Sequence, residues 1–188
     1  MISFFRMTSR FKRSGLEITS ASPCVYRWEF DPIMTEKLPS EVTFRVAAGK
    51  KAYDVIRRCQ DRGYFFSQKI INVLSQFVDM SDKCYPISIE GIKEQYYVIY
   101  NLDACPYLNR DEETYRCDPR YFCIQSPSPI FGVEDTLFIV VSEDVKNALL
   151  KNKVSNIELV ESFGCSFEEY QKIRESGVQP EVHVYEDR

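Results

Sequence analysis

The sequence predicts an α+β fold in which mixed sheets are backed by helices. Two observations carry this prediction. Segments rich in β-branched and aromatic residues alternate with shorter helical patterns, and one order of elements occurs twice along the chain. The length of 188 residues suits a single domain. We expect an N-terminal strand and loop region at 1–40, a first α+β half at 41–129, and a second half with a C-terminal helix at 130–188.

The first predicted elements are two strands followed by a helix. Residues 23–31 are dense in aromatic and β-branched types, and residues 41–47 alternate between apolar and polar side chains. The apolar residues between Ala52 and Cys59 then fall at helical spacing, and Gly63 stands where a C-terminal cap belongs. We therefore expect a helix over this segment.

Two basic segments invite functional interpretations that the residue types do not support. Residues 1–16 interleave four basic residues with aromatics, which we interpret as a first strand or helix with a solvated basic face. The Gly49-Lys50 pair resembles part of a phosphate-binding loop. However, Phe44 occupies the position of the first glycine, and Lys51 occupies that of the magnesium-binding hydroxyl residue. The pair predicts an ordinary turn between a strand and a helix.

The twice-occurring unit consists of an apolar run, a serine, a helix and a strand. The first copy reads YFFSQKIINVLSQF with CYPISIE, and the second reads FIVVSEDVKNALLKN with SNIELVE. Ser67 and Ser142 hold the N-cap positions, where we expect their hydroxyls to accept hydrogen bonds from exposed backbone N–H groups. The order suggests two units of similar structure within one fold.

The remaining segments predict a strand, a loop, an interruption of regular structure, a helix and a final strand, in that order. Residues 95–102 predict a central strand. A charged loop follows at 103–119, and Ser and Pro alternate at 126–129. Residues 166–177 have a capping box and a glycine stop, which predict a helix. Residues 182–185 predict a last strand.

Composition and rare residues exclude several kinds of function. A net charge of −4 argues against a nucleic-acid partner. The seven cysteines are odd in number and form no Cys-x-x-Cys pair, so we expect no metal, no cofactor and a reducing cytoplasm. His183, the single histidine, falls in an edge-strand pattern and is not expected to be catalytic. No apolar run is long enough to predict a membrane span or a signal peptide.

The loop after the central strand is the predicted contact region for a protein partner, because tyrosine and arginine are frequent at binding hot spots. The candidate residues are Asp103, Tyr107, Arg110, Asp111, Glu112, Glu113 and Tyr115. Two alternatives stay open. The acidic cluster or Cys117 could serve a small enzyme that depends on carboxylates or a thiol. The chain could also be a regulatory module that forms a homodimer through an exposed sheet edge.

Three stretches of the chain resemble a group of bacterial polymorphic-toxin immunity proteins, the eleventh in the usual numbering. They are FFSQKIINVLSQF with CYPISIE, QYYVIYNLDAC, and PIFGVEDTLFIVVSEDVKNALLKNKVSNIELVE, which together span roughly 64–161. The resemblance implies a cytoplasmic, non-enzymatic protein that binds and neutralises a cognate toxin. An inhibitor of this kind needs a rigid surface complementary to its partner in shape and charge. Many such toxins are basic nucleases, which an acidic chain mildly suits.

Overall fold

Strands predominate over helices in the computed structural model of the chain, which describes residues 2–10, 12–21, 30–40, 42–59, 63–106, 121–122, 128–134, 136–164, 167–177 and 181–184. Within these ranges the three helices have seven, nine and ten residues. The fold is α+β with mixed sheets, as predicted. The expectation that helices back the sheets is corrected, because one sheet closes on itself and fills its interior with its own side chains, so that helical backing is slight.

The elements follow one another in this order: β1 (Ile2–Ser9), β2 (Glu17–Ser20), β3 (Thr43–Ala48), β4 (Val55–Arg58), β5 (Tyr64–Ser67), α1 (Gln68–Leu74), β6 (Cys84–Ile89), β7 (Tyr96–Ile99), β8 (Ala104–Cys105), β9 (Tyr121–Phe122), β10 (Ile130–Val133), β11 (Ile139–Ser142), α2 (Glu143–Lys151), β12 (Ile157–Gly164), α3 (Phe167–Ser176) and β13 (Val182–Val184).

Six strands form a small closed barrel. Their order is β2-β3-β6-β7-β5-β4, and a parallel pairing between β2 and β4 completes the ring. Inward-facing side chains of such a small barrel fill its interior. Phe44 and Phe65 meet there with their ring centroids 5.2 Å apart, and Phe30 packs edge-on against Phe65 at 5.5 Å. Aromatic side chains thus fill much of the barrel interior.

The other strands form a seven-stranded sheet in the order β13-β12-β1-β11-β10-β8, with β9 also paired to β12. The N-terminal strand β1 lies inside this sheet and is antiparallel to both of its neighbours, β11 and β12. Its side chains alternate in the way that a strand covered on both faces requires. Phe5 and Met7 face the main core, and Phe4 faces a smaller cluster on the opposite side of the sheet.

The two strand–serine–helix–strand units have the same topology. In the barrel, β5 and β6 flank β7, which is antiparallel to both. In the open sheet, β11 and β12 flank β1, which is likewise antiparallel to both. Each unit is therefore a split β-α-β arrangement with one strand inserted between its two strands. The inserted strand comes from the following residues in the first unit and from the N-terminus in the second.

One apolar core joins the barrel to the open sheet. The helices α1 and α2 contact each other and both line this core. Its fully buried members include Ile70 and Leu74 of α1, Leu149 of α2, and Val141 and Leu159 of the open sheet. Residues from both sequence halves and from the N-terminal strand therefore share one core.

The predicted helix between Ala52 and Cys59 is wrong, since this segment forms strand β4. Val55 faces the core between the sheets, and the neighbouring Ile56 faces the barrel interior. A strand that is buried on both faces loses its alternation, and successive apolar residues then mimic helical spacing. The turn at Gly49 therefore joins two strands, and the phosphate-loop interpretation stays excluded because no helix follows it.

The N-cap prediction is correct in position and wrong in mechanism. Ser67 and Ser142 are the N-cap residues of α1 and α2 with extended backbone angles, but neither hydroxyl caps its helix. Instead, the Ser67 hydroxyl donates a 2.7 Å hydrogen bond to Asp54. This serine therefore ties its helix to the strand connection before β4.

The other predicted elements are confirmed where the structure describes them. Strands β7 and β13 and helix α3 lie within the predicted segments, and β3 extends one residue beyond its predicted end at residue 47. Gly177 ends α3 with a φ of +68°. The strand predicted at 23–31 lies outside the described residues except for its last two positions, and the predicted break at 126–129 is described only from residue 128.

Candidate interaction surface

The predicted contact loop is described only at its beginning. Asp103 is exposed, and its carbonyl oxygen accepts a 2.9 Å hydrogen bond from the Gly132 backbone N–H. This bond attaches the start of the loop to β10. The other candidate residues lie outside the described residues: Tyr107, Arg110, Asp111, Glu112, Glu113 and Tyr115. The contact region at 103–119 therefore stays a prediction.

Two of the described thiols have raised pKa values. Burial and a hydrogen bond to Glu17 raise the pKa of the Cys59 thiol, and burial raises that of Cys84. A thiol nucleophile needs the opposite shift. Cys117, the thiol considered for catalysis, lies outside the described residues. His183 is half-buried on edge strand β13, where its ring packs edge-on against Phe5 at 5.3 Å.

A polar seam made of Asp54, Ser67, Lys69 and Ser155 connects the barrel with the helices and the open sheet. Asp54 Oδ1 accepts from the Ser67 hydroxyl, and Oδ2 accepts from the Ser155 backbone N–H and hydroxyl, both at 2.8 Å. Lys69 lies 3.5 Å from Oδ2 and donates to the Lys153 carbonyl oxygen at 2.8 Å. One carboxylate thus joins the residue before β4, the start of α1 and the turn before β12.

The electrostatics of the seam favour a structural role. Burial would raise the pKa of Asp54, but the hydrogen bonds from Ser155 and Ser67 and the charge of Lys69 outweigh it and lower the pKa. A carboxylate with a lowered pKa is a poor general base. Both of its oxygens are already occupied by internal donors, so the seam holds elements together.

A second cluster lies on the surface where the β1–β2 connection meets the β3–β4 connection. The backbone N–H groups of Lys50 and Lys51 both donate to the Ser14 carbonyl oxygen, at 2.9 and 2.8 Å. Gly49 has a φ of +76°, and a side chain there would place its Cβ 1.8 Å from the Gly15 carbonyl oxygen. The two connections therefore touch backbone to backbone, and only glycine fits at this crossing.

Tyr53 organises the side chains of this surface. The ammonium groups of Lys12 and Lys51 lie over its ring, 4.9 and 5.9 Å from the centroid. Its hydroxyl shares a 3.1 Å hydrogen bond with the Ser14 hydroxyl. Cations over an aromatic face gain electrostatic attraction while their stems stay ordered. We call this surface the Tyr53 platform; it consists of Lys12, Arg13, Ser14, Lys50, Lys51 and Tyr53.

Three cations of the Tyr53 platform are exposed on the surface. Arg13, Lys50 and Lys51 are exposed, and no carboxylate in the described part of the chain lies within ion-pair distance of them. Nearby, Arg57 is already paired with Glu17 at 2.9 Å. The platform therefore combines a rigid backbone with the exposed charges of Arg13, Lys50 and Lys51.

A narrow notch borders the Tyr53 platform. Arg10, Lys12, Glu17 and Arg57 line it together with Asn156. The Asn156 amide donates to the Val55 carbonyl oxygen at 2.7 Å, while its Oδ1 is buried and accepts no hydrogen bond from the described residues. The notch thus adds side chains of both charges at the border of the platform.

The basic residues of the platform can be read from the sequence, but the sequence does not show that they lie close together in the fold. Arg10-x-Lys12-Arg13 and Lys50-Lys51 are visible as two short basic segments, about 40 positions apart. From the sequence, the first segment is expected to be a solvated face and the second a turn. Their meeting depends on strand pairing across the barrel, which composition and periodicity do not specify.

Comparisons with known proteins yield no relative that identifies the chain. No protein-family model matches it, and no curated protein matches it either. The resemblance of residues 64–161 to immunity proteins therefore stays a prediction. Among the described helices, none has the length and apolar character needed to cross a membrane.

Proposed function

We propose that the chain is a non-enzymatic binding protein of the toxin-immunity type, which acts in the cell that makes it by covering part of a cognate toxin. The observation that carries the proposal is the Tyr53 platform. Exposed cations stand on a backbone that is already ordered, so little conformational freedom is lost when a partner binds. A surface of this kind suits recognition of a macromolecule.

The placement of the resembling segments supports the same proposal. The three stretches of residues 64–161 contain both split β-α-β units, including the inserted strand β7 of the first. They also supply most of the core that joins the two sheets. The part of the chain that resembles immunity proteins is thus its structural frame, and the frame positions the surface.

The chemistry of the seam also favours binding over catalysis. Asp54 holds a lowered pKa, and its two oxygens accept hydrogen bonds from Ser67 and Ser155. The Tyr96 hydroxyl donates to a backbone carbonyl oxygen and is fully buried. The carboxylate of Asp54 and the hydroxyl of Tyr96 are therefore occupied by hydrogen bonds within the fold.

The test is to express the product of the gene next to this one, to ask whether it kills cells, and then to co-express it with this chain. We expect cells that produce both proteins to survive, and the two purified proteins to elute together as a stable complex. Phe65→Asp serves as the control, because a charge in the barrel interior should unfold the protein and remove protection. Continued killing by the toxin in cells that contain folded, soluble wild-type chain would contradict the proposal.

A further inference from the structure

The net charge of −4 conceals an uneven distribution along the chain. Residues 1–62 hold twelve Lys and Arg against seven Asp and Glu, whereas residues 130–188 hold six against twelve. The Tyr53 platform falls within the basic part. A partner that approaches this face therefore meets positive charge, although the molecule as a whole is acidic.

We infer that the Tyr53 platform is the docking surface for an acidic patch on the toxin. This inference rests on the proposed function and adds to it the surface used and the charge of the partner. Lys50, Lys51 and Arg13 contact carboxylates at the partner surface, and Lys12 and Lys51 are kept in place by the Tyr53 ring. Complementary charge of this kind speeds association and selects the partner.

Two features prepare the platform for this role. The Lys50 and Lys51 backbone is fixed by its hydrogen bonds to Ser14, and the Tyr53 carbonyl oxygen is held from inside the barrel by Tyr96. In addition, the Tyr53 ring holds the ammonium groups of Lys12 and Lys51 at 4.9 and 5.9 Å from its centroid. The charges are therefore presented from defined positions, which gives the surface specificity beyond attraction alone.

The same geometry favours a protein over a nucleic acid. Single strands bind to proteins largely by stacking bases on aromatic rings, but two ammonium groups already lie over the Tyr53 ring. A compact acidic patch on a protein needs no access to the ring, because its carboxylates contact the ammonium groups themselves.

Charge reversal on the platform tests the inference with defined probes. The variant is Lys50→Glu combined with Lys51→Glu, and the matched control is Lys37→Glu combined with Lys172→Glu. Lys37 also lies over a tyrosine ring, that of Tyr100, at 5.4 Å. Both double variants change the net charge from −4 to −8. The probes are fluorescent poly-L-glutamate and a fluorescent single-stranded oligonucleotide, measured by anisotropy at low and physiological salt.

We expect the wild-type chain to bind poly-L-glutamate, the platform variant to bind it at least about tenfold more weakly, and the control variant to bind like the wild type. Binding should weaken as salt screens the charges. If poly-L-glutamate does not bind, or if both double variants lose binding equally, the inference is overturned. Binding of the oligonucleotide alone, with loss in the platform variant, would overturn it in favour of a nucleic-acid surface. Arg13→Glu provides a second reversal if the double variant does not fold.

Co-expression with the toxin separates this inference from the proposed function. Loss of protection in the platform variant, with protection retained in the control variant, supports both. Equal protection by wild type and platform variant leaves the proposed function standing and overturns the docking surface. Killing despite folded wild-type chain contradicts the proposed function, and the poly-L-glutamate measurement then decides the charge preference of the platform independently.

Discussion

The Tyr96 hydroxyl donates a 2.7 Å hydrogen bond to the Tyr53 carbonyl oxygen and thereby links the barrel interior to the surface platform. Tyr96 is 1% exposed. Burial, together with the negative charges of Glu94 and Asp54, raises the pKa of its hydroxyl far above the ordinary range. The hydroxyl therefore stays protonated and can donate at any physiological pH. The ordered backbone of the platform therefore depends in part on Tyr96, which is buried inside the barrel.

Replacing Tyr96 by Phe should destabilise the protein by about 1–2 kcal/mol, because the Tyr53 carbonyl oxygen loses the donor that the buried Tyr96 side chain supplies. Tyr97→Phe is the matched control. Tyr97 is the next residue of β7, points to the other face and donates to the exposed Gln68 side chain. We expect the control to change stability by less than about 0.5 kcal/mol. Urea unfolding measures both, and equal losses would refute the importance of the buried bond.

Gly49→Ala should destabilise the fold more than Gly91→Ala. Both glycines have a φ of +76°, so each substitution incurs the strain of a left-handed backbone, roughly 1 kcal/mol. At Gly91 a new Cβ meets no atom within 4 Å, whereas at Gly49 it would lie 1.8 Å from the Gly15 carbonyl oxygen. The difference between the two variants in thermal unfolding isolates the backbone crossing. Equal losses would mean that the two connections can separate without cost.

The fold class and several elements are predictable from local patterns, but the pairing of strands is not. Alternation reveals β3, and aromatic density reveals β7, since each has a local signature. By contrast, β4 is buried on both faces, and its Val55 and Ile56 mislead the periodicity argument. The position of β1 between β11 and β12 depends on contacts across about 150 positions, as in the pairing of Phe5 with Val141 and Glu161. No local pattern encodes such a partner.

The two N-cap serines hold the same position in the repeated unit, but their hydroxyls make different contacts, and substitutions can distinguish the two. Ser67→Ala removes a hydrogen bond to the partly buried Asp54 and should destabilise the protein by about 1 kcal/mol. Ser142→Ala removes no capping bond and should stay within about 0.5 kcal/mol of wild type. If both hydroxyls were ordinary caps, both variants would lose about 1 kcal/mol. Urea midpoints of the two variants decide between these outcomes.

The candidate site shows the same division between composition and topology. The lysines and arginines of the platform are countable in the sequence, and the turn at Gly49 is predictable from its residue types. Tyr53 has no local signature, because its importance comes from Lys12, 41 positions earlier, and from Tyr96, 43 positions later. Surfaces formed by two connections emerge only when the strands between them are paired.

Asp54 and Asp31 should give stability dependences on pH of opposite sign. The folded state lowers the pKa of Asp54 below its ordinary value of 3.8, so the unfolded chain binds more protons in acid. Its contribution to stability is therefore complete above that ordinary value and is lost as pH falls through the lowered pKa. Asp54→Asn should be much less stable than wild type at pH 7, and the difference should shrink toward pH 3.

Asp31 behaves in the reverse manner because burial raises its pKa, although the Ile33 backbone N–H donates to it at 3.1 Å. The folded state then binds the proton more tightly, so the ionised carboxylate costs stability as pH rises through the raised pKa. Asp31→Asn keeps an acceptor for Ile33 without the charge. It should be at least as stable as wild type at pH 7, with any gain vanishing in acid. Urea unfolding between pH 3 and 7 measures both variants, and a loss of stability in Asp31→Asn confined to neutral pH would contradict the assignment.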